Sequence, residues 1–318
     1  MIAPPMRSRS LHVARDQVHL GWSRDHEPVI AVPSGAELSI ETQDASAGQL
    51  GPGSTSASVT ELDFARVNPV CGPVYVEGAA PGDTLQVDIL ALEPTGHGWT
   101  AIIPGFGLLA DRFPNPWLHV WRLEDSRAIF DDRIGVPMQP FCGILGVAPA
   151  EPGLHSVIPP RRVGGNLDTR QLGAGTTLYL PVEVDGALFG AGDTHAAQGD
   201  GEVCGTAIET PMTVSLRLTV RRDIAVETPE LDVSQPLERP GAAAAGYHAT
   251  TGVAPDLMQA TRQAVERMIA YLARVHRLSE EQAYALCSVT VDLRISEVVD
   301  VPNYVVTAFL PNDIFTGS

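Results

Sequence analysis

A chain of 318 residues carries 21 basic against 38 acidic side chains, a formal charge of -17, with 44% hydrophobic and 19% charged residues. Core size is therefore no constraint, and the composition is that of an ordinary globular protein. The acidic surplus leaves no cationic surface for phosphates or anionic lipid, so neither nucleic acid nor a membrane is an expected partner.

Residues 1–16 (MIAPPMRSRSLHVARD) include basic side chains but no apolar h-region, so no secretory signal is expected. No run approaches the roughly 18 uninterrupted apolar residues of a membrane helix. The richest, 101–110, is broken by Pro104, Gly105 and Gly107. Cys71, Cys142, Cys204 and Cys287 are widely spaced with no CxxC pair, which predicts reduced thiols and a cytoplasmic location.

Glycine (30) and proline (26) punctuate the first two thirds of the chain, which suits short strands joined by turns. Residues 83–90 (DTLQVDIL) alternate Leu85, Val87 and Ile89 with polar neighbours. Residues 177–184 do the same with Leu178, Leu180, Val182 and Val184, and 213–220 with Val214, Leu216, Leu218 and Val220. This period of two marks half-buried strands. Pro181 predicts an edge strand or a bulge. The Ala-rich stretch 241–246 reads as a flexible connector.

Beyond Gly252 the period changes. Leu257, Ala260, Ala264, Val265, Met268, Leu272 and Val275 recur at three-four spacing and predict a helix over 256–276. Pro255 and Asp256 suit its first turn. Ser279-Glu280-Glu281-Gln282 is a capping box that starts a second helix carrying Ala283 and Leu286. Residues 288–299 alternate again and are predicted to return to the sheet. The predicted fold is mostly β (α+β), one domain over 1–318. Its β-sandwich-like body of short strands occupies 1–250, a C-terminal helical pair (254–287) packs on that body, and a strand segment (288–310) closes it.

The densest chemistry lies in residues 192–209, GDTHAAQGDGEVCGTAIE. If extended, this stretch puts Asp193 with His195, and Asp200 with Glu202, on shared faces. An upstream knot, 164–168 (GGNLD), pairs Asn166 with Asp168 by the same parity. Taken singly, Asp and Asn beside glycine serve turns, and a lone histidine is a sheet residue. Taken together, these acids are costly to bury without a cation, and oxygen plus imidazole donors suit a divalent metal and a water. The acidic field would also attract that metal.

No phosphate loop, dinucleotide fingerprint, nucleophile elbow or HExxH is present, so neither a nucleotide nor a redox cofactor is expected. Cys204 is a rival nucleophile with His195 as base, although a small buried thiol is the commoner role. His19 is either a distant ligand or structural. Asp292, Glu297 and Asp300 either add acids or pair with Arg294.

Several blocks resemble the acetamidase/formamidase family. They are VHLGW near His19, NPVCGPVYVEGAAPGDTLQVDIL from Asn68, IIPGFGLLADRF from Ile102 and PFCGILGVAPAEPG from Pro140. The long run from Pro159 to Pro211, containing GGNLD and GDTH, and AYALCSVTVDLRISEVVDVP from Ala283 extend the resemblance over nearly the whole chain. It implies a linear-amide hydrolase that cleaves a short aliphatic amide to a carboxylate and ammonia, built on a β-sandwich-like body. It also implies zinc, with calcium as the alternative, and a homodimer or larger homo-oligomer.

The working assignment gives Asp168, Asp193 and His195 the metal, and makes Glu202, Glu209 and His195 catalytic. Asn166, Gln198 and Phe106 contact or orient the substrate, with Leu108 and Trp117 as further wall. Besides the Cys204 mechanism, the rivals are a hydrolase of a carbamoyl or urea-like substrate and a ligand- or metal-binding sandwich without turnover.

Overall fold

Alternating apolar side chains assemble two six-stranded sheets whose inner faces meet. A computed structural model describes residues 11–234, 236–237 and 245–316. The secretory-signal reading and most of the Ala-rich connector fall on residues outside that set.

The first sheet runs Leu11–Val13, Ala36–Glu41, Met212–Arg221, Thr84–Pro94, Thr176–Pro181 and Glu230–Val233. The second runs Gly164–Asn166, Phe141–Gly146, Phe189–His195, Val70–Glu77 and Val18–His19, with Ile30–Pro33 added in parallel to Val70–Glu77. Leu85, Val87, Ile89, Leu178, Leu180, Val214, Leu216 and Leu218 are buried from the first sheet as the alternation predicts. They share a core with Val74, Val76, Phe141, Leu145 and Phe189 from the second. Each such side chain contributes about 1.5–3 kcal/mol on burial.

Two of the alternating positions fall outside this core. Val220 is only partly buried, and the strand that was to hold Val184 ends at Pro181. That strand is not at the sheet's edge, since it pairs on both sides. Its outer partner covers only Thr176 to Tyr179, so Pro181 removes no ladder bond there.

A four-stranded sheet (His97–Ile102, Trp117–Glu124, Arg127–Ile129, Gly135–Pro137) and a three-stranded one (Tyr247–Ala254, Tyr304–Pro311, Asp292–Glu297) complete the β structure. The protein is mostly β, as expected. A second apolar core joins these sheets to two helices.

The long helix, Leu257–His276, begins at Asp256, whose side chain accepts from the Gln259 N–H at 2.8 Å. Ala260, Ala264, Val265, Met268 and Leu272 are buried along it, whereas Val275, in the last turn, is half exposed. The second helix, Glu280–Thr290, has the capping box at Ser279. It extends through Thr290, so the first three residues of the predicted closing strand are helical. The strand occupies Asp292–Glu297, and Tyr304–Pro311 follows as a separate one. Ser288 stays helical because its hydroxyl is buried, accepting from Cys204 N–H and donating to the Thr206 carbonyl.

All four cysteines are buried and free, and among the described residues no helix is long and apolar enough to cross a membrane.

His119, in strand Trp117–Glu124, packs 4.3 Å from the Phe130 ring and 4.7 Å from Trp121. Burial lowers its pKa to about 4, against weaker opposition from a backbone hydrogen bond at Ile129 and the charge of Asp131. Between that value and the unfolded value of about 6.5 the unfolded chain binds the extra proton. Stability conferred by the neutral ring is therefore complete above about pH 6.5 and lost as pH falls toward 4. Unfolding free energy measured over this window should decline with acidification, and the decline should be shallower in His119→Phe.

Candidate active site

Strand Phe189–His195 lies inside the second sheet, between Phe141–Gly146 and Val70–Glu77. Thr194 faces away from the site, its hydroxyl bonded to the Thr210 carbonyl at 2.6 Å and to Thr42 Oγ1 at 2.8 Å. Asp193 and His195 flank it on the opposite side, as the period of two requires. The strand is distorted there, with Asp193 at φ +50°.

The flanking pairs Cys142–Thr194 and Ile144–Gly192 set Gly143 across from Asp193. A Cβ at Gly143 would lie 2.6 Å from Asp168 Oδ1 and 2.9 Å from His195 Cε1, so only glycine lets these groups converge. The Gly143 carbonyl also accepts from the Leu167 and Asp168 N–H groups, which fixes the start of the Asp168 turn. Glu209 arrives from the other side. Its backbone bridges His195 and Trp99, joining the sandwich to the four-stranded sheet.

His195 is fully buried. Its Nε2 lies 3.3 Å from Asp193 Oδ1 and 3.1 Å from Glu209 Oε2. Each of three carboxylates has one oxygen held. Asn166 Nδ2 donates to Asp168 Oδ2 at 2.8 Å, Asn68 Nδ2 to Asp193 Oδ2 at 3.3 Å, and Ala207 N–H to Glu209 Oε1 at 2.8 Å. The remaining oxygens, Asp168 Oδ1, Asp193 Oδ1 and Glu209 Oε2, are buried without a hydrogen-bond partner among the described residues, as is His195 Nε2. Orphaned acceptors in such number are rare in native interiors.

Two sets, Asp168–Asp193–His195 and His195–Glu202–Glu209, each bring one donor atom per residue within 4.8 Å of the others. The donor chemistry and the orphaned atoms both fit a divalent cation.

Electrostatics lead the same way. Burial, then the Asp193 charge, pushes Asp168 up to about 8, with His195 opposing. Burial raises Glu209 to about 7, against His195, and lifts Glu202 well above the carboxylate range with help from Asp168. For His195, burial favours the neutral ring, yet Glu209 and Asp193 outweigh it and hold the pKa well above normal. With no cation the cluster retains protons; a divalent ion would replace them.

A cavity of about 350 Å³ opens over this cluster. Asn166, Asp168, Asp193, Glu202 and Glu209 form its polar part, and Phe106 stands in its wall. The two knots read from the sequence thus meet. Gln198 stands behind Asp168, donating from Nε2 to its carbonyl at 2.7 Å, which makes it a support for that residue.

Asp200 does not pair with Glu202, because residues 199–205 turn instead of extending. It bonds Arg170 Nε at 2.9 Å, and Arg170 Nη2 lies 3.3 Å from Asp292 Oδ2. Asp292 therefore serves that buried ion network, and Glu297 accepts from the Val299 and Asp300 N–H groups in its own turn. His19 packs on Trp22 and His26. Leu108 and Trp117 belong to the helix-side core. Cys204 is buried, its thiol near the Ala101 and Thr206 carbonyls, and burial raises its pKa.

Sequence reasoning missed Asn68 and Gly143. Asn68, at φ +51°, sits two residues before Cys71's strand begins, and only tertiary structure brings it to Asp193. Gly143 carried no signal beyond being a glycine inside a predicted block.

Comparisons with known proteins give the chain its relatives. The model of the acetamidase/formamidase family matches residues 7–157 and 153–317. A formamidase of Methylophilus methylotrophus is 26% identical over 94% of this chain and 89% of its own length. Among solved structures, a gamma lactamase from Delftia acidovorans superposes with a TM-score of 0.87 at 27% identity, covering 95% of this chain and 90% of that one. A predicted acetamidase/formamidase from Thermoanaerobacter tengcongensis gives 0.69 at 34% identity, with 96% of each chain covered. The chain belongs to the acetamidase/formamidase family.

Proposed function

We propose that this protein cleaves a short aliphatic amide, of the formamide or acetamide class, to a carboxylate and ammonia at a cation held by Asp168, Asp193 and His195. It is a hydrolase of carbon–nitrogen bonds in linear amides, as its formamidase and acetamidase relatives indicate. The observation that carries the metal reading is the set of carboxylates with one oxygen held and the other orphaned beside His195.

Amide hydrolysis needs a nucleophile stronger than neutral water, stabilisation of the tetrahedral oxyanion and a proton for the departing amine. A divalent cation, when bound, supplies Lewis acidity, polarising the carbonyl and acidifying a water. Imidazole among the donors favours zinc, because calcium selects all-oxygen sets. Glu209 offers Oε2, its oxygen without a hydrogen-bond partner among the described residues, to accept the water's proton. Glu202 stands at the cavity wall, placed to give a proton to the leaving nitrogen. Asn68 and Asn166 fix the carboxylates, Gln198 steadies the Asp168 turn, and Phe106 stands in the cavity wall.

Burial makes a Cys204 thiolate costly, which counts against the thiol mechanism. Reduced cysteines support a cytoplasmic enzyme, and a homodimer or larger homo-oligomer is part of the same proposal. One neighbour is a gamma lactamase, which supports a second reading: ring opening of a cyclic amide, a reaction that releases no ammonia.

His195→Ala should abolish ammonia release from formamide and acetamide and lower the metal bound per chain, measured on the same sample; undiminished turnover rules the assignment out. Asn68→Ala, which leaves every proposed ligand in place, should weaken metal affinity or kcat/KM by about 10–100-fold. Chelation should remove activity from the wild-type enzyme, whereas Cys204→Ala should keep it; the reverse pattern would establish the thiol route.

A further inference from the structure

The cavity is far larger than a formamide. Its volume of about 350 Å³ lies in the roughly 300–1,000 Å³ range of sites for drug-sized ligands, and acetamide is only a methyl group on an amide. The lining combines polar groups, the acids with Asn68 and Asn166, and an apolar wall that includes Leu62, Trp99 and Ile103.

Three large apolar side chains stand at that wall in contact with solvent: Phe64 (59% exposed), Phe106 (48%) and Ile158 (39%). They come from three separate segments of the chain, so their meeting is a property of the fold. Phe106 is seated by design of the backbone, since a Cβ at Gly205 would lie 2.4 Å from its ring. Exposed apolar groups gathered around one concavity are the ordinary mark of a binding surface for a ligand with apolar area. A formamide offers none, and acetamide offers little.

We infer that the preferred substrate is a primary amide bearing a compact apolar group of about ring size, its amide on the acidic floor and its hydrocarbon against Phe64, Phe106 and Ile158. This rests on the amidase reading and extends its substrate class beyond the smallest amides to larger ones. Phe64 and Phe106 are then specificity-determining residues, acting on the hydrocarbon and not on the reacting atoms.

The test compares kcat/KM for acetamide and phenylacetamide by ammonia release from the metal-loaded enzyme. Phenylacetamide should be favoured at least tenfold, because the ring buries several times the apolar area of a methyl group. Phe64→Ala and Phe106→Ala should each lower that ratio. Acetamide matching or exceeding phenylacetamide overturns the inference while leaving the amidase reading intact. If neither amide releases ammonia, the amidase reading fails, and the affinities of the two amides by calorimetry still decide the pocket's class: tenfold tighter phenylacetamide supports it, equal affinities overturn it. Variants that change the particle's size in solution but not the ratio also overturn it, assigning those rings to contact between copies of the chain.

Discussion

The site depends on confining Asp168, Asp193, Glu202 and Glu209 around one buried imidazole. Charged carboxylates in so small a volume repel one another and lose their hydration, and a single histidine compensates only part of that cost. The upward shifts of Asp168, Glu202 and Glu209, and that of His195 itself, are consequences of this one arrangement. It is tolerable in two ways: with protons retained, or with a cation in their place. An arrangement serving stability alone would pair each oxygen. Here one oxygen of each of three carboxylates is tied to an amide, which orients the other toward the common centre.

Convergence carries a conformational cost. Asn68, Asp168, Asp193 and Glu202 all have positive φ, between 43° and 51°. Asn and Asp tolerate that region, but Glu enters it seldom, and such residues cost of the order of 1–3 kcal/mol where strained. The surrounding structure has to over-determine them. The sandwich core holds the strand of Asp193 and His195, and Glu209 is clamped between His195 and Trp99. The ion network of Arg170, Asp200 and Asp292 ties the segment after Asp168 to the 198–200 turn and to strand Asp292–Glu297. Asp200 and Asp292, which look like ligands in sequence, therefore act as struts. Arg170 and Asp292 are buried, so removing either leaves an uncompensated charge, which is why the pair is a firm anchor.

The two halves of the fold divide the labour. The sandwich provides the strand of Asp193 and His195 and the turn of Asp168, and the helix-backed half supplies Phe106, Glu202 and Thr206 through loops. Asp193 and His195 thus stand on regular structure, whereas Asp168, Glu202 and Glu209 stand on the turns and loops around it.

By itself the sequence determined the mostly β class, the helix starting near Asp256, the capping box at Ser279 and the identity of the two polar knots. Each of these follows from short-range rules: a period of two or 3.6, a side chain bonding a nearby N–H, a local excess of acids that nothing local neutralises. The family likeness was legible for the same reason, in contiguous blocks. Only the tertiary structure decided which acids face the imidazole and which face Arg170, because the parity rule fails once the chain turns at 199–205. It alone brought in Asn68 from 125 residues away and made Gly143 indispensable. Those choices arise from contacts between strands remote in the chain, where packing and desolvation outweigh any preference a short window of residues can express.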